Sequence, residues 1–234
     1  GNENITGPNL VSTILTGTGD DIITAGSATD TINSGDGNDI IDGGDGADGL
    51  TGGDGNDVYL FNTNDVDSGE SLTELAGEGT DVVAIVTTTD FVNMPVVSFD
   101  EIEQIRFAGA NQTGTFTGAQ FTGETLLLTE TAAGTANLIL NVGSGTTVTF
   151  ANLTASTFDN GVDTVTINGV DGGNETITGP NLASTIIVGS GDDVIVAGSQ
   201  NDIIDGGAGD DRLTGGSGND RYLFDTNDVV SGER

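Results

Sequence analysis

A nine-residue period runs through both ends of this chain. Counting by nine from Ile5 reaches a large apolar residue at every step up to Tyr59, and counting by nine from Ile177 does the same up to Tyr222. Together the two series contain thirteen such positions: Ile5, Ile14, Ile23, Ile32, Ile41, Leu50, Tyr59, Ile177, Ile186, Ile195, Ile204, Leu213 and Tyr222. The residue two places earlier is Asp throughout the inner part of each series, beginning at Asp21 and at Asp193.

The physics of one unit explains why it must repeat. We expect the residues around each apolar position to form a short strand with one side chain pointing inward. The Gly-rich remainder turns the chain, because glycine adopts the positive φ angles that such turns need. A single unit cannot bury its apolar residue, so units must stack into one continuous core. The sequence therefore predicts an all-β structure with almost no helix and with the thirteen apolar side chains inside.

A longer repeat confirms that nine residues are the structural unit. Residues 1–27 return as 173–199 at an offset of 172, whereas residues 40–66 return as 203–229 at an offset of 163. The two offsets differ by nine, so one copy gained or lost a whole unit without damage to its flanks.

Composition excludes several functions. The chain has 37 acidic residues against four arginines, a formal charge of −33. Nucleic acids and anionic membranes are therefore poor partners, and a compact state requires bound cations. The absence of Cys excludes disulfides, and the joint absence of His, Cys and Lys removes the usual catalytic bases and nucleophiles, so we assign no enzymatic activity. No apolar run reaches membrane-spanning length, and no signal peptide precedes Gly1. Because the chain begins and ends inside its own repeats, we expect it to be a segment of a longer protein.

The best-formed units resemble a known family. They are GGDGNDVYL (52–60), SGDGNDIID (34–42), GGDGADGLT (43–51), GGAGDDRLT (206–214) and GGSGNDRYL (215–223). These resemble the G-G-x-G-x-D-x-U-x nonapeptide of RTX proteins, the hemolysin-type calcium-binding repeats. The resemblance implies a parallel β-roll, or β-solenoid, with two nonapeptides per coil and calcium between successive loops on each edge. The domain boundaries that it suggests are 1–61 for nonapeptide block 1, 62–169 for a β-rich spacer, 170–224 for block 2 and 225–234 for the start of a next spacer.

The resemblance also implies which residues bind metal. With two units per coil, partners on the same edge lie eighteen residues apart: Asp21 with Asp39, Asp39 with Asp57, Asp30 with Asp48, Asp193 with Asp211, and Asp202 with Asp220. About five calcium sites follow, and calcium accepts carboxylate and backbone carbonyl oxygens. The candidate carbonyls belong to Gly17, Gly19, Gly35, Gly37, Gly44, Gly46, Gly53, Gly55, Gly189, Gly191, Gly207, Gly209, Gly216 and Gly218. The competing interpretation is that these aspartates only form turns.

Some units depart from the pattern. Ala28 and Gln200 replace the third glycine of their units, so we expect distorted sites at Asp30 and Asp202. The units at 7–12 and 179–184 lack the aspartate, which makes Glu3 and Glu175 weak candidate ligands.

The segment 62–169 lacks the nonapeptide but keeps short strand-like runs. These are DVVAIV (81–86), IEQIRF (102–107), GTFTGAQF (114–121), TLLLT (125–129), NLILNV (137–142), TTVTF (146–150) and DTVTI (163–167). They fit a continuing solenoid with longer coils, which we favour because the nonapeptide phase resumes at Ile177, or a small β-sandwich. In block 1, Ile22, Ile40 and Val58 should form an outward apolar ladder, either from strand propensity alone or as a packing face.

Three functions remain open. The first is a non-catalytic calcium-binding structural module of a large extracellular protein, secreted or at the cell surface, such as an adhesin, surface-layer or matrix fibre, with copies of itself as possible partners. The second is a secretion and folding appendage of an RTX toxin or secreted hydrolase or epimerase whose catalytic domain lies elsewhere. The third is a glycan-binding module, which would need an exposed aromatic platform.

Overall fold

The computed structural model describes residues 1–74, 77, 79–158 and 162–224, so the segment 225–234, expected to begin a next spacer, lies outside the described residues. The regular secondary structure of the described chain is almost wholly short strands. They are β1 (Asn4–Thr6), β2 (Thr13–Thr18), β3 (Ile22–Thr24), β4 (Thr31–Asp36), β5 (Ile40–Asp42), β6 (Gly49–Asp54), β7 (Val58–Phe61), β8 (Ser71–Thr73), β9 (Val82–Ile85), β10 (Thr89–Asp90), β11 (Gln104–Phe107), β12 (Gln112–Thr117), β13 (Leu127–Glu130), β14 (Ala136–Asn141), β15 (Thr147–Thr149), β16 (Thr154–Ala155), β17 (Thr164–Asn168), β18 (Thr176–Thr178), β19 (Ser184–Ile187), β20 (Val194–Ser199), β21 (Ile203–Asp205), β22 (Arg212–Ser217) and β23 (Arg221–Leu223).

Helix is confined to two four-residue pieces of the described chain, the 3₁₀ turn Val96–Phe99 and α1 (Gly118–Phe121). The second corrects the expectation of a strand across 114–121, because β12 ends at Thr117 and the chain turns into α1. The Gln120 side chain accepts the Thr117 N–H at 2.7 Å, which satisfies one of the free donors at the start of the helix. No helix among the described residues is long and apolar enough to cross a membrane.

The chain divides into two compact units, and the first comprises Gly1–Gly114 with Leu126–Gly134. Within it, one sheet contains the strands β1-β3-β5-β7-β9-β11-β13 in that order, and another contains β2-β4-β6-β8. Neighbouring strands are parallel, and Ile23 aligns with Ile5 on one side and with Ile41 on the other. Consecutive nonapeptides thus alternate between two sheets, which confirms the predicted parallel β-roll with two units per coil.

The second unit comprises Thr115–Thr125 and the residues from Thr135 onward. It repeats the arrangement, with one sheet in the order β14-β17-β19-β21-β23 and another in the order β15-β18-β20-β22. Here Ile195 aligns with Ile177 and with Leu213, again at eighteen residues per coil.

Spacer strands extend the coil stack within each unit. In unit 1, β9 pairs in parallel with β7 at a spacing of 24 residues (Val58 with Val82), and β11 pairs with β9 at 22 (Val82 with Gln104). In unit 2, β17 pairs in parallel with β14 and with β19. This parallel pairing at longer spacings is what the continuing solenoid with longer coils requires, rather than the small β-sandwich.

The predicted inward positions form the core of both blocks. Ten of the thirteen are buried: Ile14, Ile23, Ile32, Ile41, Leu50, Tyr59, Ile177, Ile186, Ile195 and Ile204. Ile5 and Leu213 are half-buried. Tyr222 corrects the prediction, since 41 % of its surface is exposed. It lies on β23, which has a neighbouring strand on one side only among the described residues.

The outward ladder of block 1 forms as expected, with Ile22, Ile40 and Val58 aligned across three strands. Ile22 and Ile40 are exposed within the chain, whereas Val58 is half-buried. A role in packing against another chain stays a prediction.

Candidate metal-binding edges

The aspartates of block 1 form hydrogen-bonded ladders along the coil edges. The Asp57 carboxylate accepts the backbone N–H of Asp39 at 2.8 Å, and the Asp39 carboxylate accepts that of Asp21 at 2.7 Å. On the other edge, the Asp48 carboxylate accepts the N–H of Asp30 at 2.7 Å. The structure therefore brings together all three aspartate pairs expected in this block.

Block 2 carries the same ladder. The N–H of Asp193 donates to the Asp211 carboxylate at 2.9 Å, and the N–H of Asp202 donates to that of Asp220 at 3.1 Å. Asp220 is half-buried, whereas the other predicted aspartates of both blocks are buried.

Each ladder bond uses only one oxygen of its carboxylate. The second oxygen is buried and makes no hydrogen bond in Asp21, Asp39, Asp48, Asp57, Glu175, Asp193 and Asp202. Burying an ionised carboxylate without a partner is costly, so it is either protonated or paired with a cation. A row of such oxygens, with no Lys in the chain to neutralise them, is an arrangement that fits bound metal ions.

Burial is reflected in the acidity of these groups. Desolvation raises the pKa of Asp48 to about 6, opposed by the hydrogen bond from the Asp30 backbone. Desolvation likewise raises the pKa of Asp57 to about 7, and the neighbouring carboxylates of Asp39 and Asp81 add to the shift. For Asp193 the pKa is raised by burial and by the adjacent Glu175. Without a cation, ionising these acids is therefore less favourable in the folded chain than in the unfolded chain.

Glycine allows successive loops to approach closely. Gly55 has φ +137°, and a methyl group built on it would overlap the carbonyl oxygen of Gly37, one coil away. Of the fourteen predicted glycines, thirteen have positive φ, and Gly189 is the exception. The Gly189 carbonyl accepts the N–H of Ala208 at 2.9 Å, so its loop differs from the consensus.

Units that depart from the consensus keep the ladder. Gln200 retains the left-handed backbone of the missing glycine, with φ +81°, and the neighbouring Asp202 accepts the Ser184 N–H at 2.8 Å. Asp30 accepts the Ser12 N–H at 2.7 Å although Ala28 is not left-handed.

Glu175 is better placed than its sequence suggests. It is wholly buried, accepts the Gly145 N–H at 2.7 Å, and donates its own N–H to Asp193 at 2.6 Å. Glu3, the other weak candidate ligand, is exposed.

Sequence reasoning missed four acids by which the ladder continues into the spacer. Glu70 accepts the N–H of Asp48, Asp81 that of Asp57, and Glu103 that of Asp81, at 2.7–2.8 Å. In unit 2, Asp163 accepts the N–H of Ala136 at 2.8 Å. The spacings of 22 to 27 residues hide these acids from a search at eighteen. A usable signal survives, because each acid stands two residues before a buried apolar residue: Leu72, Val83, Ile105 and Val165.

Fold and edge together define a class: a parallel β-roll whose turns carry buried, regularly spaced carboxylates. The family model for the RTX calcium-binding nonapeptide repeat (4 copies) matches residues 12–41, 24–59 and 187–222. The repeats within 12–59 and 187–222 are therefore RTX calcium-binding nonapeptide repeats. No curated protein and no solved structure matches the chain.

The edge residues fit the ion that this family binds. Calcium prefers six to eight oxygen ligands, from carboxylates and backbone carbonyls. The edges offer buried carboxylate oxygens without hydrogen bonds, and their glycine-rich turns approach the adjacent coil closely. The assignment of individual ligands stays a prediction.

Proposed function

We propose that the chain is a non-catalytic structural module that folds and stiffens when calcium binds along its coil edges. One observation carries this proposal: the ladders hold carboxylates whose second oxygen is buried without a hydrogen bond. Such groups oppose folding when ionised and favour it when a cation neutralises them. Because the paired acids meet only when coils stack, the free energy of calcium binding becomes free energy of folding.

The setting that we propose is extracellular. RTX repeats are typical of secreted bacterial proteins. Extracellular calcium modules bind with dissociation constants of about 10⁻⁴–10⁻³ M, which leaves them empty in a calcium-poor cytosol and filled outside. A chain of charge −33 that stays loose until it meets calcium suits export in an unfolded state.

Within that setting we favour a tandem module of a large adhesin, surface-layer or matrix fibre. The support is the long repeat, since a block and its spacer return at offsets of 163–172 residues. A simple secretion appendage has little use for alternating blocks and spacers. The appendage nevertheless remains the second candidate, because the nonapeptide blocks alone suit either.

Small-angle X-ray scattering tests the folding role. An unfolded chain of 234 residues has a radius of gyration of roughly 50 Å. We expect a value near that size in EDTA and a much smaller one in millimolar calcium, whereas magnesium at the same concentration should have little effect because it demands a smaller octahedral site. A radius that is small in EDTA and unchanged by calcium would contradict the proposal.

An experiment on tandem copies of the long repeat distinguishes the fibre module from the secretion appendage. If the chain is a fibre module, a polypeptide with several copies should lengthen in proportion to copy number once calcium is added. Copies that fold with calcium but remain independent, with no regular increase in length, would favour the appendage.

A further inference from the structure

Three carboxylates converge where block 1 passes into the spacer: Asp57, Glu74 and Asp81. Each offers an oxygen, and these oxygens all lie within 4.8 Å of one another. Asp81 is the next acid after Asp57 on the same edge, since its carboxylate accepts the Asp57 N–H at 2.8 Å. The pair thus continues the ladder, and Glu74 adds a third charge.

The position of Glu74 departs from the nonapeptide. Strand β8 aligns with β6 so that Thr73 lies beside Thr51. Glu74 follows Thr73 as Gly52 follows Thr51, so an acidic side chain stands where the preceding coil has the first glycine of its consensus. This replacement brings a carboxylate into the coil edge that the RTX pattern does not contain.

A second observation points to a ligand. Asp57 is 0 % exposed, and its second oxygen makes no hydrogen bond; the second oxygen of Glu74 is also buried without one. Asp81 is buried as well. A methyl group built on Gly52 would overlap the second oxygen of Asp57, one oxygen of Glu74 and the Tyr59 hydroxyl, so these oxygens crowd round one point.

We propose that Asp57, Glu74 and Asp81 together bind one divalent cation, at a three-carboxylate site that shares Asp57 with the last nonapeptide pair. The donor set is oxygen alone, which selects a hard cation such as calcium. Affinity for calcium rises with the number of charged ligands, so this site fills at lower calcium than a two-carboxylate pair. The bound ion would join the last nonapeptide coil to the first spacer coil. Only the identity of the ion rests on the proposed function.

Terbium luminescence tests the site directly, because a tyrosine close to bound Tb³⁺ sensitises its emission. The chain has two tyrosines and no Trp. Tyr59 donates its hydroxyl hydrogen bond to Glu74, so it stands beside the proposed ion. In a Tyr222→Phe background, tyrosine-sensitised Tb³⁺ emission then reports this site, and added calcium should compete it away.

We expect Glu74→Gln to weaken Tb³⁺ binding at this site by roughly tenfold or more, since one of three charged ligands is lost. The matched control is Asp90→Asn, which removes the same charge from an exposed spacer side chain and should leave the titration unchanged. Tyr59→Phe in the same background should abolish the emission. An unchanged titration in Glu74→Gln would overturn the proposal.

Folding and function are checked separately. If Glu74→Gln alters the circular dichroism spectrum in calcium, Asp81→Asn becomes the deciding variant, because its amide oxygen still accepts the Asp57 N–H. Normal Tb³⁺ binding by Asp81→Asn would equally overturn the proposed site. The calcium-induced dichroism change reports the nonapeptide edges and should survive in Glu74→Gln. If calcium does not change the dichroism spectrum of the parent chain but Tb³⁺ emission is still observed, the proposed function is contradicted and the three-carboxylate site is not.

Discussion

Asparagine in place of Asp39 should destabilise the chain in calcium and stabilise it without calcium. Asp39 is wholly buried between two ladder partners: its carboxylate accepts the Asp21 N–H at 2.7 Å, and its own N–H donates to Asp57 at 2.8 Å. Asparagine retains the oxygen that accepts the Asp21 N–H but removes one negative charge from both pairs.

The expected magnitude follows from the two sites that share Asp39. At a calcium concentration of about 10 mM and dissociation constants of about 10⁻⁴–10⁻³ M, each bound ion stabilises the fold by about 1.4–2.7 kcal/mol. Loss of both sites lowers the free energy of unfolding by about 3–5 kcal/mol. In EDTA the sign reverses, because the substitution removes a buried charge that repels its neighbours.

Urea denaturation followed by circular dichroism measures the effect in calcium, and the amount of β structure present in EDTA measures the effect without calcium. Asp36→Asn is the control, since Asp36 is exposed in the same coil and should change little in either condition. Asp39→Ala adds a further loss of about 1–3 kcal/mol in calcium, because it leaves the Asp21 N–H without its acceptor. A loss of stability in calcium together with less β structure than the parent chain in EDTA would refute the reasoning, since it would mean that Asp39 acts only through packing.

Three further predictions follow from burial, backbone conformation and acidity. Gly55→Ala should cost more than about 2 kcal/mol in calcium, because it adds a clash with the Gly37 carbonyl of the adjacent coil to left-handed strain. Gly49→Ala should be near neutral in urea denaturation, because its methyl group would meet only the Ser71 hydroxyl, at 3.9 Å. Ile41→Ala should lose about 2–5 kcal/mol from the core, but the exposed Ile40→Ala less than about 1 kcal/mol, by the same measurement. Burial raises the pKa of Glu70 to about 9, so the folded chain holds that proton better than the unfolded chain. In EDTA the β content seen by circular dichroism should therefore fall as pH rises from about 5 to 9, and a rise would contradict this assignment.

The nonapeptide blocks could be predicted from sequence because their period is constant. With eighteen residues per coil, inward residues such as Ile41 and ladder acids such as Asp39 recur in phase, and one counting rule finds both. The rule fails at Tyr222, because burial depends on a neighbouring coil on each side and not on the residue alone.

The spacer was harder because its coils vary in length. Asp81 and Glu103 follow their ladder partners by 24 and 22 residues, so no fixed period reaches them, although the acid-x-apolar order of the nonapeptide persists. The turn into α1 was missed for a different reason. Residues 114–121 have strand-like composition, and the helix begins where the Thr117 N–H donates a hydrogen bond to the Gln120 side chain, a contact that composition does not reveal.

The nonapeptide consensus does not predict that Glu74 belongs to the proposed three-carboxylate site. It stands at a glycine position of the pattern, and only the alignment of β8 with β6 places it beside Asp57 and Asp81. A three-residue convergence across different coils depends on register, which the spacer sequence does not specify.

Circular dichroism of this chain, first in EDTA and then in millimolar calcium, tests most directly whether calcium controls folding. We expect a largely disordered spectrum in EDTA, because ionised ladder acids such as Asp39 and Asp57 repel one another inside a thin core. Calcium should convert it cooperatively to a β spectrum, with a midpoint of about 0.1–1 mM. A β spectrum that is already complete in EDTA and does not change with calcium would contradict the central claim.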